Sequence, residues 1–317
     1  MKSRGLLFVT GVLVIGACCA LACIGIFGLA ALTAIENNPL EIGDAVGVIY
    51  VEGPIVMGAP LSDFSAADAA YSETIIEYLR KAQKDSAVKA IVLRVESPGG
   101  SVVASQEIYD EVMATQKKGK PVIASFGEIS ASGGYYISAG ADKIYVHPAT
   151  ITGSIGVISV LTNIEGLTDK LGVKMVVIKS GPHKDESYGF RDLSPEERVN
   201  WQKQIDEAYE DFVSIVAAGR KLDKDKVKKL ADGSVYSGKQ AKELGLADEI
   251  GNLEAAVAAA GKAGNIPGKP RTIKYRPTQG LFGSLSSAVG QNLGTKNLLD
   301  LFSARQMGRL MYLYVAP

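Results

Sequence analysis

Two glycine pairs mark places where backbone N–H groups can face a ligand. The first is in Ser97-Pro98-Gly99-Gly100-Ser101, which follows the apolar run at residues 90–95 (AIVLRV) and precedes a helical stretch over about 102–117. Adjacent glycines reach backbone conformations closed to other residues. A helix beginning just after them adds its positive dipole end, which together makes an anion or oxyanion site. An ordinary strand-to-helix turn would use the same residues. The second pair is in Ala131-Ser132-Gly133-Gly134-Tyr135-Tyr136, again between a strand and a helix. A serine there is expected to be exposed, with its alkoxide favoured by the helix dipole, and the next N–H could hold a tetrahedral oxyanion. Serine is equally a common helix cap.

A serine nucleophile needs a base, and the chain offers few. There are two histidines, His147 before Pro148 and His183 in Ser180-Gly181-Pro182-His183-Lys184-Asp185. The loop around His183 offers both an imidazole and the amine of Lys184. At a reference pKa of about 10.4, roughly one lysine amine in a few thousand is free at pH 7, so a lysine base must be built by desolvation. Residue types alone leave both bases open. Two histidines exclude a multi-histidine metal site, and the cysteines (Cys18, Cys19, Cys23) sit together near the start with none downstream. No metal site and no cofactor is expected.

The elements that must position these groups follow from the patterning. No charged residue occurs from 5 through 35, with Lys2 and Arg4 before the run and Glu36 after it. A spanning helix needs roughly 20 apolar residues, so 5–35 is expected to be an uncleaved transmembrane anchor. The positive-inside rule places residues 1–4 in the cytoplasm and the rest of the chain outside it, as a single-pass cell-membrane protein. A cleaved secretory signal would have a shorter apolar region, and a lipoprotein signal ending at Cys18 fits poorly. Residues 36–45 read as a tether, 46–264 as the main domain and 265–317 as a C-terminal extension rich in Gly, Pro, Ser and Asn at its start.

Within 46–264, strands are expected at 46–51, 90–95, 121–126, 143–146, 155–161 and 173–178. Helices are expected at 72–84 (Ser72 as cap), 102–117, 131–141, 194–218, 227–230, 238–244 and 253–263. Ser194-Pro195-Glu196-Glu197 has the form of a capping box with proline at the first helical position. Apolar strands alternating with helices indicate parallel βα units, an α/β fold. The 34 basic and 34 acidic residues balance, which argues against a nucleic-acid partner.

Taken in order, the motifs resemble the signal peptide peptidase A family of membrane-anchored bacterial serine proteases (peptidase S49). They are Ser97-Pro98-Gly99-Gly100, ASGGYY at 131–136, Thr152-Gly153-Ser154-Ile155-Gly156-Val157, Lys179-Ser180-Gly181-Pro182-His183-Lys184, and Tyr236-Ser237-Gly238-Lys239-Gln240-Ala241. The resemblance covers residues 46–262 and matches the short, single-domain form. It implies a Clp protease/crotonase-like fold of repeated ββα units. It also implies Ser132 as nucleophile, Lys184 as general base, Ser154 orienting the lysine, and the N–H groups of Gly99 and Gly133 as oxyanion hole. Serine and lysine of one site can then come from neighbouring subunits of a homo-oligomeric ring. The implied substrates are apolar peptides such as cleaved signal peptides, and His183 receives no role. Three other readings remain: a crotonase-like acyl-CoA enzyme, a Ser-His-Asp peptidase, and a catalytically inactive membrane-anchored scaffold. The apolar segment 310–315 (LMYLYV) is the kind of peptide such a cleft accepts, so it is expected either to enter a site or to form an edge strand.

Overall fold

The run at 90–95 is apolar on successive residues because both of its faces are covered, as in a parallel sheet flanked by helices. The computed structural model describes residues 43–60, 69–276 and 311–313. The expected membrane segment, residues 5–35, lies outside them, as do 36–42 of the tether. Among the described residues no helix is long and apolar enough to cross a membrane.

In chain order the elements are β1 (Ala45–Glu52), β2 (Ile55–Val56), β3 (Ala70–Tyr71), α1 (Ser72–Lys84), β4 (Val88–Ser97), β5 (Gly99–Ser101), α2 (Val102–Lys117) and β6 (Val122–Ala131). There follow α3 (Gly133–Tyr136), β7 (Lys143–Val146), β8 (Ile151–Gly153), α4 (Glu165–Lys170), α5 (Pro195–Arg220), α6 (Lys224–Leu230), β9 (Val235–Ser237) and α7 (Gly238–Leu244). Then come β10 (Glu249–Ile250), α8 (Leu253–Ala263), β11 (Arg271–Tyr275) and β12 (Met311–Leu313). The larger sheet runs β10-β7-β6-β4-β1-β11, all parallel, with β8 beside the far end of β6 and β9 antiparallel to β8. The smaller sheet runs β12-β5-β2-β3.

Alternation along the central strands sorts two cores. Ile49, Val51, Ile91, Leu93 and Val95 face one side and pack with Ile75, Leu79, Ile108 and Val112 from α1 and α2. Val46, Val48, Ala90 and Val92 face the other and pack with Ala256 and Ala260 of α8. Period-two side-chain direction accounts for both sets. β11, in the C-terminal extension, adds a parallel edge strand to β1.

Three local expectations are corrected. Ser72 is the first residue of α1 and not its cap; Tyr71 holds that position. The buried Ser72 hydroxyl instead accepts the Gly58 N–H at 3.3 Å. The helix after Ser132 is a single turn, α3, rather than a run to 141. Residues 155–161 form one isolated bridge, Ile158 to Met311, and 173–178 form no strand. In the latter, Val176 is 79% exposed and Ile178 96%. β-Propensity reflects packing against a neighbouring strand, and among the described residues no strand pairs with this run.

Candidate active site

The site is built where β4 and β6 end side by side. A register shift between Val95 and Ser97 sets Ser97 against Ser130. The Ser130 hydroxyl donates to Val95 O at 2.6 Å, and the Glu96 carboxylate accepts the N–H groups of Glu128 (2.6 Å) and Ile129 (3.0 Å). Both strand ends are therefore fixed before the chain turns.

At the turn Ser132 has φ 53° and ψ −116°. A non-glycine residue in such a region costs of order 1–3 kcal/mol and persists only where its surroundings impose it. Here they do. The Ser132 N–H donates to Gly153 O on β8 at 2.8 Å, and Tyr136 N–H closes the turn on Ser132 O at 2.8 Å. Ser132 is 1% exposed, contrary to the exposed serine expected, because β8 lies on one side and β5 on the other. Among the described residues its Oγ is buried without a hydrogen-bond partner. One helical turn carries little dipole, so stabilisation of an anion here falls to individual N–H groups.

Gly133 and Gly99 meet at this point. A Cβ on Gly99 (φ 98°) would lie 2.5 Å from Gly133 N and 2.0 Å from Tyr312 O, and a Cβ on Gly133 would lie 2.7 Å from Ser105 Oγ. Both positions exclude a side chain, which brings backbone to backbone beside the serine. The Gly99 N–H donates to Ser97 Oγ at 3.1 Å. To serve an oxyanion it must exchange that buried hydroxyl for the substrate, a detail the sequence did not signal.

The C-terminal segment enters this site. β12 pairs antiparallel with β5, Leu313 against Gly99, Tyr312 against Gly100 and Met311 against Ser101. On its other edge Met311 exchanges two 3.0 Å hydrogen bonds with Ile158. Tyr312 is fully buried. Its ring stacks on Tyr136 at 4.8 Å and meets Phe212 at 4.6 Å, and its hydroxyl donates to Ala208 O at 2.9 Å. Tyr136 in turn donates to Asp211 at 2.6 Å; burial first, then this bond, holds its phenol far above the usual range. Leu313 lines a cavity of about 800 Å³ with Ser154, Val157, Ile158, Tyr209 and Val235.

The structure brings Ser132, Gly99 and Gly133 together and sets Ser154 nearby, 8% exposed and at φ 48° after Gly153. It does not bring Lys184 to Ser132 within one chain, since among the described residues Ser132 Oγ has no hydrogen-bond partner and Lys184 is exposed. Lys184 belongs to a loop closed by charges. Asp185 takes Lys179 Nζ at 2.6 Å and Arg191 Nη2 at 2.6 Å. Hydrogen bonds from Arg191, then Lys179, hold its carboxyl well below the usual range. Arg191 also reaches Glu197 at 2.6 and 2.8 Å, and this bond, with the Ser194 N–H, depresses Glu197 likewise. His183, Glu186 and Glu197 could offer ligand atoms to a metal, but Arg191 already holds both Glu197 oxygens, which makes the cluster an ion-pair node. His147 lies away from these groups, its ring accepting the Ala149 N–H at 3.3 Å.

Comparison with known proteins places the chain in a family. The model of peptidase family S49 matches residues 114–266, and that of Clp protease matches 42–151. A Synechocystis protein named "Putative protease slr0021" is 44% identical over 74% of this chain and 87% of its own length. The chain belongs to peptidase family S49. The "Putative signal peptide peptidase SppA" of Enterococcus faecium is 45% identical over 58% of this chain and 54% of its own. Protease 4 of Salmonella typhi is 38% identical over 73% of this chain and 36% of its own, so the chain spans about a third of that longer relative. The α/β architecture described above is thus Clp-protease-like, and the family is one of serine proteases.

Proposed function

We propose that the chain is a membrane-anchored serine endopeptidase that uses a Ser132–Lys184 dyad on apolar peptides such as cleaved signal peptides. The observation that carries this reading is β12 on β5, which lays a peptide strand beside the strained Ser132 and the glycines 99 and 133. A substrate would lie in the same way, its backbone paired with β5 and its apolar side chains in the aromatic pocket around Tyr136 and in the cavity beside Ser154. Main-chain pairing gives affinity without sequence preference, and alternate side chains in pockets add selectivity.

Lys184 takes the Ser132 proton as Oγ attacks the scissile carbonyl. The Gly133 N–H, with that of Gly99 once released from Ser97, stabilises the oxyanion. The lysine then protonates the leaving amine, and water releases the acyl group. Ser154 orients the lysine. Lys184 reaches the Ser132 of a neighbouring copy in a homo-oligomeric ring; the exposed run at 173–178, just before the lysine loop, is the apolar surface such a contact would cover. The anchor at 5–35 would hold the ring at the membrane with the catalytic domain outside the cytoplasm, where remnant signal peptides are accessible.

The test is hydrolysis of an apolar signal-peptide mimic by the full chain in detergent, compared with Ser132→Ala and Lys184→Ala, with assembly followed by sedimentation. Both variants are expected to assemble and to be inactive. An active Lys184→Ala refutes the dyad, with His183→Ala the next variant. An inactive wild type that assembles normally supports the scaffold reading instead.

A further inference from the structure

A catalytic lysine on a loop needs something to hold it, and residues 171–194 contain no regular helix or strand. What they contain is a chain of charges. Asp185, the residue after Lys184, is 8% exposed and turned inward while Lys184 turns out. Lys179 binds it at 2.6 Å and also donates to Pro182 O at 2.7 Å, which closes the near side of the loop. From the far side Arg191 meets Asp185 through Nη2 at 2.6 Å and Nε at 3.2 Å. The same guanidinium grips both oxygens of Glu197. Glu197 is 2% exposed and accepts the Ser194 N–H at 2.8 Å, so it is part of the capping box that starts α5.

We infer that Asp185, Arg191 and Glu197 are positioning residues that fix Lys184 for proton transfer by tying its loop to the first turn of α5. The inference rests on Lys184 being the base. None of the three acts on the reacting atoms. A planar guanidinium can be bidentate to two carboxylates at once, whereas a lysine there would be a point charge. The first turn of a 26-residue helix is a rigid base, so the lysine backbone is fixed while its side chain stays free to reach out. General-base efficiency depends on holding heavy atoms within hydrogen-bond reach, and a displacement of about 1 Å can cost roughly 100-fold.

The experiment measures the rate at which a fluorophosphonate probe labels Ser132 in the full, assembled chain. Irreversible labelling accumulates, so slow rates are measurable. Four proteins form a cycle: wild type, Arg191→Gln, Lys184→Ala and the double variant. Arg191→Gln is expected to slow labelling roughly 10-fold or more when Lys184 is present and by less than about 2-fold when it is absent, because the two act as a unit. Equal slowing in both backgrounds would mean a general structural role and would overturn the inference. So would a labelling rate for Arg191→Gln equal to that of the wild type. Should Arg191→Gln fail to assemble, Asp185→Asn, which keeps the shape and removes the charge, is measured in the same cycle with the same expectations. A Lys184→Ala protein that labels as fast as the wild type is a different failure: it removes the base itself and the reading beneath the inference.

Discussion

Tyr312 gives the sharpest test of whether the C-terminal strand competes with substrate. Replacing it by Ala removes a fully buried ring, a stacked contact with Tyr136, a contact with Phe212 and a hydrogen bond to Ala208. Truncating a buried aromatic costs about 3–5 kcal/mol. Taking about 3 kcal/mol, docking of the segment weakens by roughly 100-fold, since about 1.4 kcal/mol is a factor of 10. A docked segment multiplies the apparent KM by one plus its docking constant and leaves kcat alone. Tyr312→Ala should therefore lower KM for an apolar peptide by several-fold at least, with roughly 100-fold as the ceiling, at unchanged kcat. A synthetic peptide of residues 308–317 added to the variant should restore competitive inhibition. If β12 is only an edge strand, the variant loses thermal stability, by roughly 2–4 °C per kcal/mol in a domain of this size, and KM does not fall. An unchanged or raised KM in Tyr312→Ala refutes competition.

Three further outcomes follow from the same geometry. Gly99→Ala places a Cβ 2.0 Å from Tyr312 O at φ 98°, so it should lose more than roughly 100-fold in peptidase rate while still assembling, as read by kinetics and sedimentation. If the site cleaves its own C-terminal segment, wild-type protein should show a shortened C-terminus by intact mass and Ser132→Ala the full one; identical full-length masses rule trimming out. The Asp185 and Glu197 carboxyls are held below their usual range by Arg191. A depressed carboxyl contributes stability that is complete above its unfolded pKa of about 4 and is lost as pH falls below it. Protection against hydrogen exchange over residues 179–197, taken relative to the intrinsic rate at each pH, should thus fall below about pH 4 in the wild type and already be reduced at pH 7 in Arg191→Gln; no difference at pH 7 would count against the clamp.

The sequence exposed local structure where local rules decide and failed where a neighbour decides. The capping box Ser194/Glu197 forms as its spacing required, and the apolar run at 90–95 is a strand buried on both faces, because caps and side-chain alternation act within a few residues. Gly99 and Gly133 sit beside Ser132 for a reason equally visible in sequence: glycine is the residue that lets two backbones approach. The exposed serine was wrong because burial of Ser132 is imposed by β8 and β5, which arrive from elsewhere in the chain. The strand expected at 173–178 was wrong for the reverse reason. Its pattern of Val, Met and Ile describes a surface to be covered, and among the described residues nothing covers it. Arg191 carried no signal at all, since its worth lies in joining two carboxylates six residues away on either side.

These failures share a direction. The groups that local patterning could not place are those whose partners come from a distance: the lysine loop, the apolar run before it, and the Gly99 N–H that stays on Ser97. In a single chain Ser132, Gly99 and Gly133 lie together while Lys184 faces outward; under the proposed mechanism this is the arrangement expected if proton transfer waits for a second copy. On that proposal a monomer would hold a strained serine awaiting its base, since among the described residues its Oγ has no hydrogen-bond partner. Joining would bring the lysine by covering the exposed run at 173–178. Activity on this reasoning should depend on protein concentration more steeply than the first power at dilution below the assembly constant. A specific rate independent of dilution while sedimentation shows dissociation to monomers would place the complete machinery in one chain and end the shared-site reading.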